Sequence, residues 1–367
     1  MSKVFYTDLR ATPKRNLFNK IEDLLNRIKM NSRIKKDDLV AIKLHFGEQG
    51  NTAYLRPVFL GTIVKKVKGI GAKPFLTDTN TLYTGSRSDA VSHLSTAIQN
   101  GFDYACVGCP LIIADGLRGS SSVKVPINGK VLKEVSIARE IVNADSMIVV
   151  THFKAHELSG FGGALKNLGM GCAAREGKLV QHSGVAPKIN AQNCKGCKLC
   201  FEYCPVKAIS IMEKKASIDE KKCIGCGECT IICPTKAIEI QWDESPDSFQ
   251  KKMAEYAFGA LKGKEKRSLF LNFLIQISPA CDCYPHSDAP IVRDIGILAS
   301  LDPVSIDAAS CDLVNNEESI PNTAIKKILK RGEDKWRAIY PSIDWNIQLN
   351  HAEKLGLGER AYTLVKI

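Results

Sequence analysis

One cysteine pattern, present twice, constrains the middle of this chain more than any other feature of its sequence. Cys194 begins the first copy and Cys223 begins the second, 29 residues later, and each copy reads C-x2-C-x2-C-x3-C-P. The tail Lys-Ala-Ile recurs after both copies, starting at Lys207 and Lys236. The two copies are therefore an internal repeat of one small structural unit.

This spacing is typical of thiolates that bind iron–sulfur clusters. Three closely spaced cysteines surround one 4Fe–4S cluster, and the fourth cysteine, before the proline, binds the other cluster. Zinc sites use ligands in two pairs and do not require such a run. The pattern predicts two 4Fe–4S clusters, with the ligand sets Cys194, Cys197, Cys200 and Cys233 for one, and Cys223, Cys226, Cys229 and Cys204 for the other.

The repeat resembles the bacterial-type two-cluster ferredoxins. This resemblance implies a small α+β unit of two short hairpins and two short helices over residues 188–241, here called the insert. It also implies one-electron transfer at low potential between the two clusters.

The sequence on either side of the insert predicts one α/β domain that the insert interrupts, with parts 1–187 and 242–367. Apolar runs alternate with helical patterns, which indicates βαβ units and a mostly parallel sheet. The run Leu269–Ser278 is apolar enough to be a strand buried on both faces. Asp302 is the expected N-cap of a helix that begins at Pro303. Before the insert we predict strands at Leu39–Leu44, Lys73–Thr77, Leu111–Ala114 and Ser146–Val150, and helices near Leu17–Met30, Pro57–Val67 and Ser88–Gln99; after it, a helix at Ser248–Ala260.

Composition narrows the function classes. The apolar runs of the 367 residues are shorter than the roughly 18 residues that a membrane-spanning helix needs. The N-terminal residues lack the apolar region of a secretory signal. We therefore expect a cytoplasmic protein with reduced cysteines and no membrane partner.

The formal net charge of +12 comes from scattered lysines rather than from a basic stripe with interleaved aromatic residues. This distribution argues against nucleic-acid binding. It favours a ferredoxin-like or other acidic electron carrier as the partner of the insert.

A second unusual segment, residues 151–184, lies just before the insert and has seven glycines between Gly160 and Gly184. Glycine at this density lets the backbone approach a ligand and exposes amide N–H groups to an anion. We therefore predict a ligand cleft here, with cofactor-binding residues Gly160, Gly162, Gly163 and Lys154, and with catalytic candidates His156, Lys166 and His182.

Three cysteines outside the insert are candidates for a third metal or cofactor site. Cys281 and Cys283 form a C-x-C pair after the apolar strand, with His286 nearby, and Cys172 belongs to the glycine-rich segment. A C-x-C pair at a strand end can present two thiolates to one metal. Buried structural thiols explain the same residues equally well, and the sequence leaves both interpretations open.

Four other residues receive simpler interpretations. We expect Cys106 and Cys109 to be a structural pair rather than a redox pair, and we place Glu48 with His45 at the same cleft, after the first strand.

Nearly the whole chain resembles the uncharacterised iron–sulfur-centre proteins that share the domain of unknown function 362. The resemblance is carried by KLHFGE, THFKAHELSGFGGALKNLGMG and CDCYPHSDAPIVRDIGILASLDPVSIDAAS, together with the ferredoxin-like insert. It implies a cytosolic redox protein of anaerobic bacteria or archaea, without an assigned reaction.

The glycine-rich segment is also similar to the H-x3-G-x2-G-G-x-K-type segment of lactate racemases that carry a nickel pincer nucleotide. The similarity covers His156, Gly160, Gly162, Gly163 and Lys166, although Ala164-Leu165 separates the last glycine from the lysine. It implies proton or hydride transfer by a histidine of this segment, a cofactor tether at the lysine, and nickel binding by His182, sixteen residues after Lys166.

These patterns support one leading function and two alternatives. The leading hypothesis is an iron–sulfur oxidoreductase, whose clusters exchange electrons with an unknown small-molecule substrate in a cleft between residues 151–184 and 278–294. The alternatives are a metal- or cluster-binding assembly protein with a third metal site, and a nickel-dependent racemase-like enzyme.

Overall fold

The computed structural model describes residues 1–184 and 186–367. Before the insert, its strands and helices are β1 (Ser2–Asp8), α1 (Leu17–Arg27), β2 (Leu39–Lys43), α2 (Val58–Gly69), β3 (Lys73–Asp78), α3 (Ala90–Gln99), α4 (Tyr104–Val107), β4 (Leu111–Ile113), β5 (Ser122–Pro126), β6 (Glu134–Ala138), α5 (Arg139–Asn143), β7 (Ser146–His152), β8 (Lys154–His156), β9 (Gly160–Gly162), α6 (Ala164–Gly169) and α7 (Arg175–His182).

The second half of the chain contains the insert and the rest of the α/β domain. The insert comprises β10 (Lys188–Ile189), α8 (Leu199–Glu202), β11 (Ile209–Met212), β12 (Lys215–Ile218), α9 (Glu228–Ile232) and β13 (Ile238–Glu239). It is followed by α10 (Pro246–Leu261), β14 (Ser268–Leu274), β15 (Gly296–Ser300), α11 (Pro303–Asn315), α12 (Lys335–Ile339), α13 (Asn346–Lys354) and β16 (Tyr362–Lys366).

An eight-stranded sheet has the strand order β16-β1-β15-β14-β7-β2-β3-β4. Strand β15 runs antiparallel to β1 and β14, and the other five pairings within the described residues are parallel. Strand β14 pairs with β7, so the parts of the chain before and after the insert meet at the centre of the sheet. The prediction of an α/β fold with a mostly parallel sheet is confirmed.

Helices cover both faces of this sheet. Successive residues of a strand point to opposite faces. In β7, Met147 and Val149 belong to the apolar cluster under α6, α10 and α11, whereas Ile148 and Val150 belong to the cluster under α1 and α2. The continuous apolar run of this strand is therefore the signature of a strand buried on both faces.

The elements predicted before the insert agree with the structure to within a few residues, as does the helix at α10. The apolar strand after the insert ends at Leu274 rather than Ser278, because the chain turns at Gln276, which has φ = +52°. Strands β1, β15 and β16 were not predicted. Residues of β1 and β16 are partly exposed, so these strands lack a continuous apolar run.

The insert consists of two short helices and two antiparallel strand pairs, β10 with β13 and β11 with β12. Glu228 of α9 connects it to the α/β domain, because its carboxylate lies 3.2 Å from the guanidinium nitrogens of both Arg175 and Arg118. The Arg118 guanidinium also lies over the Tyr203 ring, 5.0 Å from its centroid. These contacts hold α9 against the N-terminal end of α7.

Among the residues that the structure describes, none of the helices combines the length and the apolar character needed to cross a bilayer.

Asp302 links three parts of the sheet domain. Its Oδ1 accepts hydrogen bonds from the backbone N–H groups of Val304 and Ser305, at 2.8 and 2.9 Å, which confirms the predicted N-cap of α11. Its Oδ2 accepts from the Ser2 hydroxyl at 2.8 Å and from the backbone N–H of Glu359 at 2.9 Å. One carboxylate thus joins α11 to the strands at the sheet edge.

We predict that Asp302→Ala lowers the free energy of unfolding by about 2 kcal/mol, the upper end for a lost N-cap. The control is Asp247→Ala, which removes an exposed ion pair with Lys251 within α10 and should change stability by less than about 0.5 kcal/mol. Urea unfolding followed by tryptophan fluorescence measures both. Equal midpoints for the two variants would contradict the assigned role of Asp302.

Candidate functional site

A cavity of about 770 Å³, here called the main cavity, lies at the carboxyl ends of parallel strands β2, β3 and β7. Lys43, Asp78 and His152 are the last residues of these strands, and all three line it. Ligands of open α/β sheets bind at this end of the strands. The volume falls within the roughly 300–1,000 Å³ typical of small-molecule sites. Position and size therefore favour a binding site for a small molecule.

The main cavity brings together most of the residues selected from the sequence. Two segments that are more than 100 residues apart meet here because β7 and β14 pair in parallel. The lining contains eight of these predicted site residues, His156, Lys166, His182, Lys154, Gly162, Gly163, Cys281 and Cys283. His45 and Glu48 also line it, as expected for the same cleft.

Other candidates lie outside the lining. Gly160 has φ = +75° and packs against Trp345, whose Cβ would lie 2.5 Å from a Cβ at this glycine, so its role is in packing. Cys172 is buried in the core, where burial raises the pKa of its thiol to about 11. His286 is exposed and does not line the main cavity. Within ranges 1–184 and 186–367, no three His, Cys, Asp or Glu side chains converge on a single-ion site.

Cys281 and Cys283 lie side by side in the wall of the main cavity. Lys166 Nζ donates to Cys281 Sγ at 3.2 Å, and the backbone N–H of Cys283 donates to the same sulfur at 3.4 Å. A hydrogen bond from the Cys283 thiol and the nearby Lys166 ammonium hold the pKa of Cys281 well below its ordinary value, against the effect of burial. The same thiol contact, with burial, raises the pKa of Cys283. Cys281 is therefore the cysteine of this pair that ionises more readily.

His156 completes the surroundings of the Cys281 thiolate. Its Nδ1 accepts a hydrogen bond from the Leu158 backbone N–H at 3.2 Å and lies 3.1 Å from the Ser159 hydroxyl, which donates to the Phe161 carbonyl. Because Nδ1 accepts the Leu158 N–H, Nε2 is the donor nitrogen of this ring; it lies 3.6 Å from Glu157 Oε1, and the ring helps to lower the pKa of Cys281. The ring stacks on Phe249, with centroids 5.9 Å apart. Stacking and hydrogen bonding fix the direction of the donor.

Asp282, between the two cysteines, is fully buried and contacts a histidine and a lysine. Its carboxylate oxygens lie 2.8 Å from His152 Nδ1 and 2.8 Å from Lys154 Nζ. His152 Nε2 lies 3.0 Å from the Ile275 carbonyl, so both ring nitrogens face acceptor oxygens. Although burial opposes ionisation, these neighbours hold the pKa of Asp282 below its ordinary range. The loop after β14 is thereby tied to the end of β7.

A second buried network forms the opposite wall, and sequence analysis did not select most of its members. Lys43 Nζ lies 2.9 Å from Asp78, and Arg87 lies 3.1 Å from Glu48 and 3.6 Å from Asp78. The Tyr83 hydroxyl contacts Glu48 and the Cys283 carbonyl, each at 2.9 Å. The sequence contains a signal for Lys43, because a lysine at the end of an otherwise apolar strand indicates a buried charge with a partner. Arg87 and Tyr83 lie in an irregular loop and had no such signal.

The electrostatics of the main cavity favour an anionic ligand. Burial lowers the pKa of both His45 and His182 to about 3, so these rings are neutral at neutral pH. The lining has five cationic side chains, Lys43, Arg87, Lys154, Lys166 and Lys178, and three carboxylates, Glu48, Asp78 and Glu157.

Lys178 differs from the other cations of this cavity in its surroundings. Its ammonium donates to neutral oxygens, the Thr79 hydroxyl at 2.5 Å and the Asn80 carbonyl. Burial lowers its pKa to about 8, although Asp115 and Asp78 oppose the shift. Of these cations, Lys178 is thus the one whose ammonium form an incoming anion would stabilise most.

Two smaller cavities in the insert are each lined by four cysteines. Each has the three closely spaced cysteines of one copy and the last cysteine of the other. The outer cysteine cavity is lined by Cys194, Cys197, Cys200 and Cys233, and the inner cysteine cavity by Cys204, Cys223, Cys226 and Cys229. Backbone N–H groups of Ala208 and Ala237 donate to Cys204 Sγ and Cys233 Sγ, each at 3.2 Å. Such bonds stabilise thiolates.

The inner cysteine cavity adjoins the main cavity. Gly227, in its wall, has φ = +68°, and a Cβ there would lie 3.3 Å from Leu82 Cδ1. Leu82 itself lines the main cavity. Trp242, just after the insert, is a second shared element, because it lines the main cavity and its ring centroid lies 4.9 Å from that of His182. A single side chain, Leu82, thus reaches from one cavity wall to the other.

Comparison with known proteins gives one family match. The model of a family described as "Domain of unknown function (DUF362)" matches residues 40–312. No curated protein matches the sequence.

Solved structures that match part of the chain include two proteins. The lactate racemase apoprotein from Thermoanaerobacterium thermosaccharolyticum has 14% identity and a TM-score of 0.38, over 74% of this chain and 50% of that one. A protein from Thermotoga maritima has 10% identity and a TM-score of 0.38, over 80% of this chain and 57% of its own. The chain thus spans about half the length of these structures.

We predict that Lys178 titrates far below an ordinary lysine, whose pKa is about 10.4. Competitive labelling with acetic anhydride across the neutral to alkaline range, read by peptide mass spectrometry, should give a midpoint at about 8. A saturating anionic ligand should raise this midpoint, because the anion favours the ammonium form. A midpoint in the ordinary range without ligand would show that the amine is well solvated and would contradict the assigned environment.

Proposed function

This chain belongs to the DUF362 family, and we propose that it is an iron–sulfur oxidoreductase. In this proposal the insert passes single electrons between an external carrier and an anionic small molecule in the main cavity. The observation that carries the proposal is the contact of the inner cysteine cavity with the main cavity through Gly227 and Leu82.

The residues of the insert fit two 4Fe–4S clusters. Each cysteine set surrounds a common space without converging on a single-ion position in the described part of the chain. A polynuclear cluster needs that arrangement, because its irons, rather than one ion, face the four sulfurs. When bound, the clusters supply one-electron steps at low potential.

The main cavity supplies the remaining requirements of a redox site. Its excess of cationic side chains attracts and orients an anionic substrate. Lys178, whose pKa burial lowers to about 8, can exchange the protons that accompany electron transfer. Buried networks around Asp78 and Asp282 hold the cations in place before the substrate arrives, which reduces reorganisation on binding.

The outer cysteine cavity is the entry point for electrons in this proposal. Cys197 is exposed, and Lys195 and Lys198 line the same cavity. Further lysines of the insert lie close by, with Lys214 against Gly196. An acidic carrier, such as a ferredoxin-like protein, is complementary to this basic surface and would be steered to it.

We predict that Cys226→Ser lowers the iron content of anaerobically reconstituted protein from about eight to about four per chain, because the inner set loses a ligand. The same variant should lose electron transfer from reduced ferredoxin to substrates in a panel of small carboxylates and phosphate esters. The control is Cys106→Ser, an exposed cysteine outside the insert, which should match the unsubstituted protein in both measurements. Iron-free protein after reconstitution, or full turnover by Cys226→Ser, would contradict the proposal.

A nickel-dependent racemase-like function is the second candidate. It is favoured by one observation, that His156, Lys166 and His182, the residues of the racemase resemblance, line one cavity. Metal analysis of the same samples separates the candidates. Stoichiometric nickel that is lost in His182→Ala, with racemisation of lactate that persists in Cys226→Ser, would favour the racemase. Zinc or iron beyond the cluster complement would favour a metal-binding or assembly protein.

A further inference from the structure

The C-x-C pair in the main cavity has the geometry of a dithiol that closes to a disulfide. The backbone N–H of Tyr284 donates to the Cys281 carbonyl at 3.1 Å, which closes a four-residue turn over residues 281–284. Such a turn brings its residues within a few ångströms of one another, the range in which a disulfide can form. Both cysteines line the main cavity.

The turn is held rigidly from both sides. Asp282, between the cysteines, is anchored by His152 and Lys154, and its carbonyl accepts the Glu48 backbone N–H at 2.9 Å. The Cys283 carbonyl accepts a hydrogen bond from the Tyr83 hydroxyl. The sulfurs therefore stay together at the cavity wall, where they can be reached by a ligand.

The chemistry around the pair selects Cys281 as the attacking sulfur. Lys166 Nζ donates to Cys281 Sγ at 3.2 Å and the Cys283 backbone N–H donates to the same sulfur at 3.4 Å, so these contacts stabilise a negative charge on Cys281. A thiolate beside a cation is the reactive form of cysteine, and the neighbouring thiol is placed to resolve a mixed disulfide. A structural thiol pair requires neither a buried lysine nor access to a cavity.

We propose that Cys281 and Cys283 are a redox-active dithiol that reduces an anionic small-molecule disulfide. The Cys281 thiolate attacks one sulfur of the substrate R–S–S–R, forms a Cys281–S–S–R bond and releases RS⁻. Cys283 loses its proton and attacks the Cys281 sulfur, which releases the second RS⁻ and forms the Cys281–Cys283 disulfide. Two electrons and one proton then restore the thiolate and the thiol.

This inference rests on the proposed function for its electron supply. When bound, the two clusters would together store two electrons, the number that reduction of one disulfide takes up. The cationic lining matches the acidic groups of the substrate, and the volume of about 770 Å³ admits a molecule of small-peptide size.

The test uses the full-length holoprotein, purified anaerobically, with glutathione disulfide and cystine as separate probes. Cys283→Ser retains the attacking thiolate but cannot resolve the intermediate, so a mixed disulfide at Cys281 should accumulate and be identified by peptide mass spectrometry. Cys281→Ser should form no such adduct and should lose release of thiol. The matched control is Cys172→Ser, a buried cysteine outside the cavity lining, which should behave as the unsubstituted protein.

A redox titration of the unsubstituted protein in glutathione buffers supplies the second measurement. As the buffer becomes more oxidising, the peptide that contains both cysteines should change from a doubly alkylated form to an unalkylated form. The unalkylated form should be two hydrogen atoms lighter than the reduced peptide. Lys166→Met should favour the oxidised pair by about tenfold in the equilibrium constant, equivalent to about 30 mV, because the thiolate loses its cation. The exposed Lys65→Met should leave the equilibrium unchanged.

Failure of this inference is distinguishable from failure of the proposed function. Adduct formation in Cys283→Ser is a single attack that needs no cluster, so it persists if the insert supplies no electrons. Intact iron content without an adduct from either probe, and a pair that stays doubly alkylated in every buffer, would overturn the dithiol alone. A metal ion that is bound to the unsubstituted protein and lost in Cys281→Ser would overturn it in favour of a metal site.

Discussion

The parallel pairing of β7 with β14 is the constraint on which the rest of this structure depends. It places Phe273 opposite His152, so the loops that follow the two strands leave the sheet at the same end. One loop continues into the glycine-rich segment and the other carries the C-x-C pair. The insert lies in the chain between these two strands. It is next to the end of the sheet where ligands of such folds bind.

Charge compensation explains how so many ionised groups remain buried at that end. An isolated buried charge is costly, and removing one partner of a buried pair leaves the other uncompensated. Asp282 balances Lys154 and also contacts His152, while Asp78 and Glu48 together balance Lys43 and Arg87. In these networks the carboxylates are already paired with cations, and the pairs make the walls of the site rigid.

Two cations differ from these because no carboxylate is their nearest partner. Lys166 faces a thiolate rather than a carboxylate, and Lys178 faces neutral oxygens. Their charges are the ones that an incoming anion can share. The region of incomplete compensation therefore coincides with the thiol pair and with the wall that adjoins the insert, which is why we assign the chemistry to this part of the cavity.

Sequence patterns with a short physical period were sufficient for much of the fold. Strand β7 was predictable because a strand buried on both faces must be apolar throughout, and Asp302 was predictable because Asp-Pro is typical of a helix start. Strands β1 and β16 were not predictable, since each is half-exposed and is identified only by its neighbours. The same limit applies to the site. The role of Arg87 depends on its ion pairs with Glu48 and Asp78, which belong to other segments of the chain.

The sequence by itself determined the cysteine repeat, the periodicity of the buried strands and the glycine-rich segment, because these are local patterns whose spacing along the chain carries the information. Tertiary structure alone decided which candidates share a site. It brought Lys166 to Cys281, left Cys172 in the core and turned Gly160 against Trp345. The physical reason is that contacts between loops depend on strand order and register, and neither is encoded in the local pattern of any one segment.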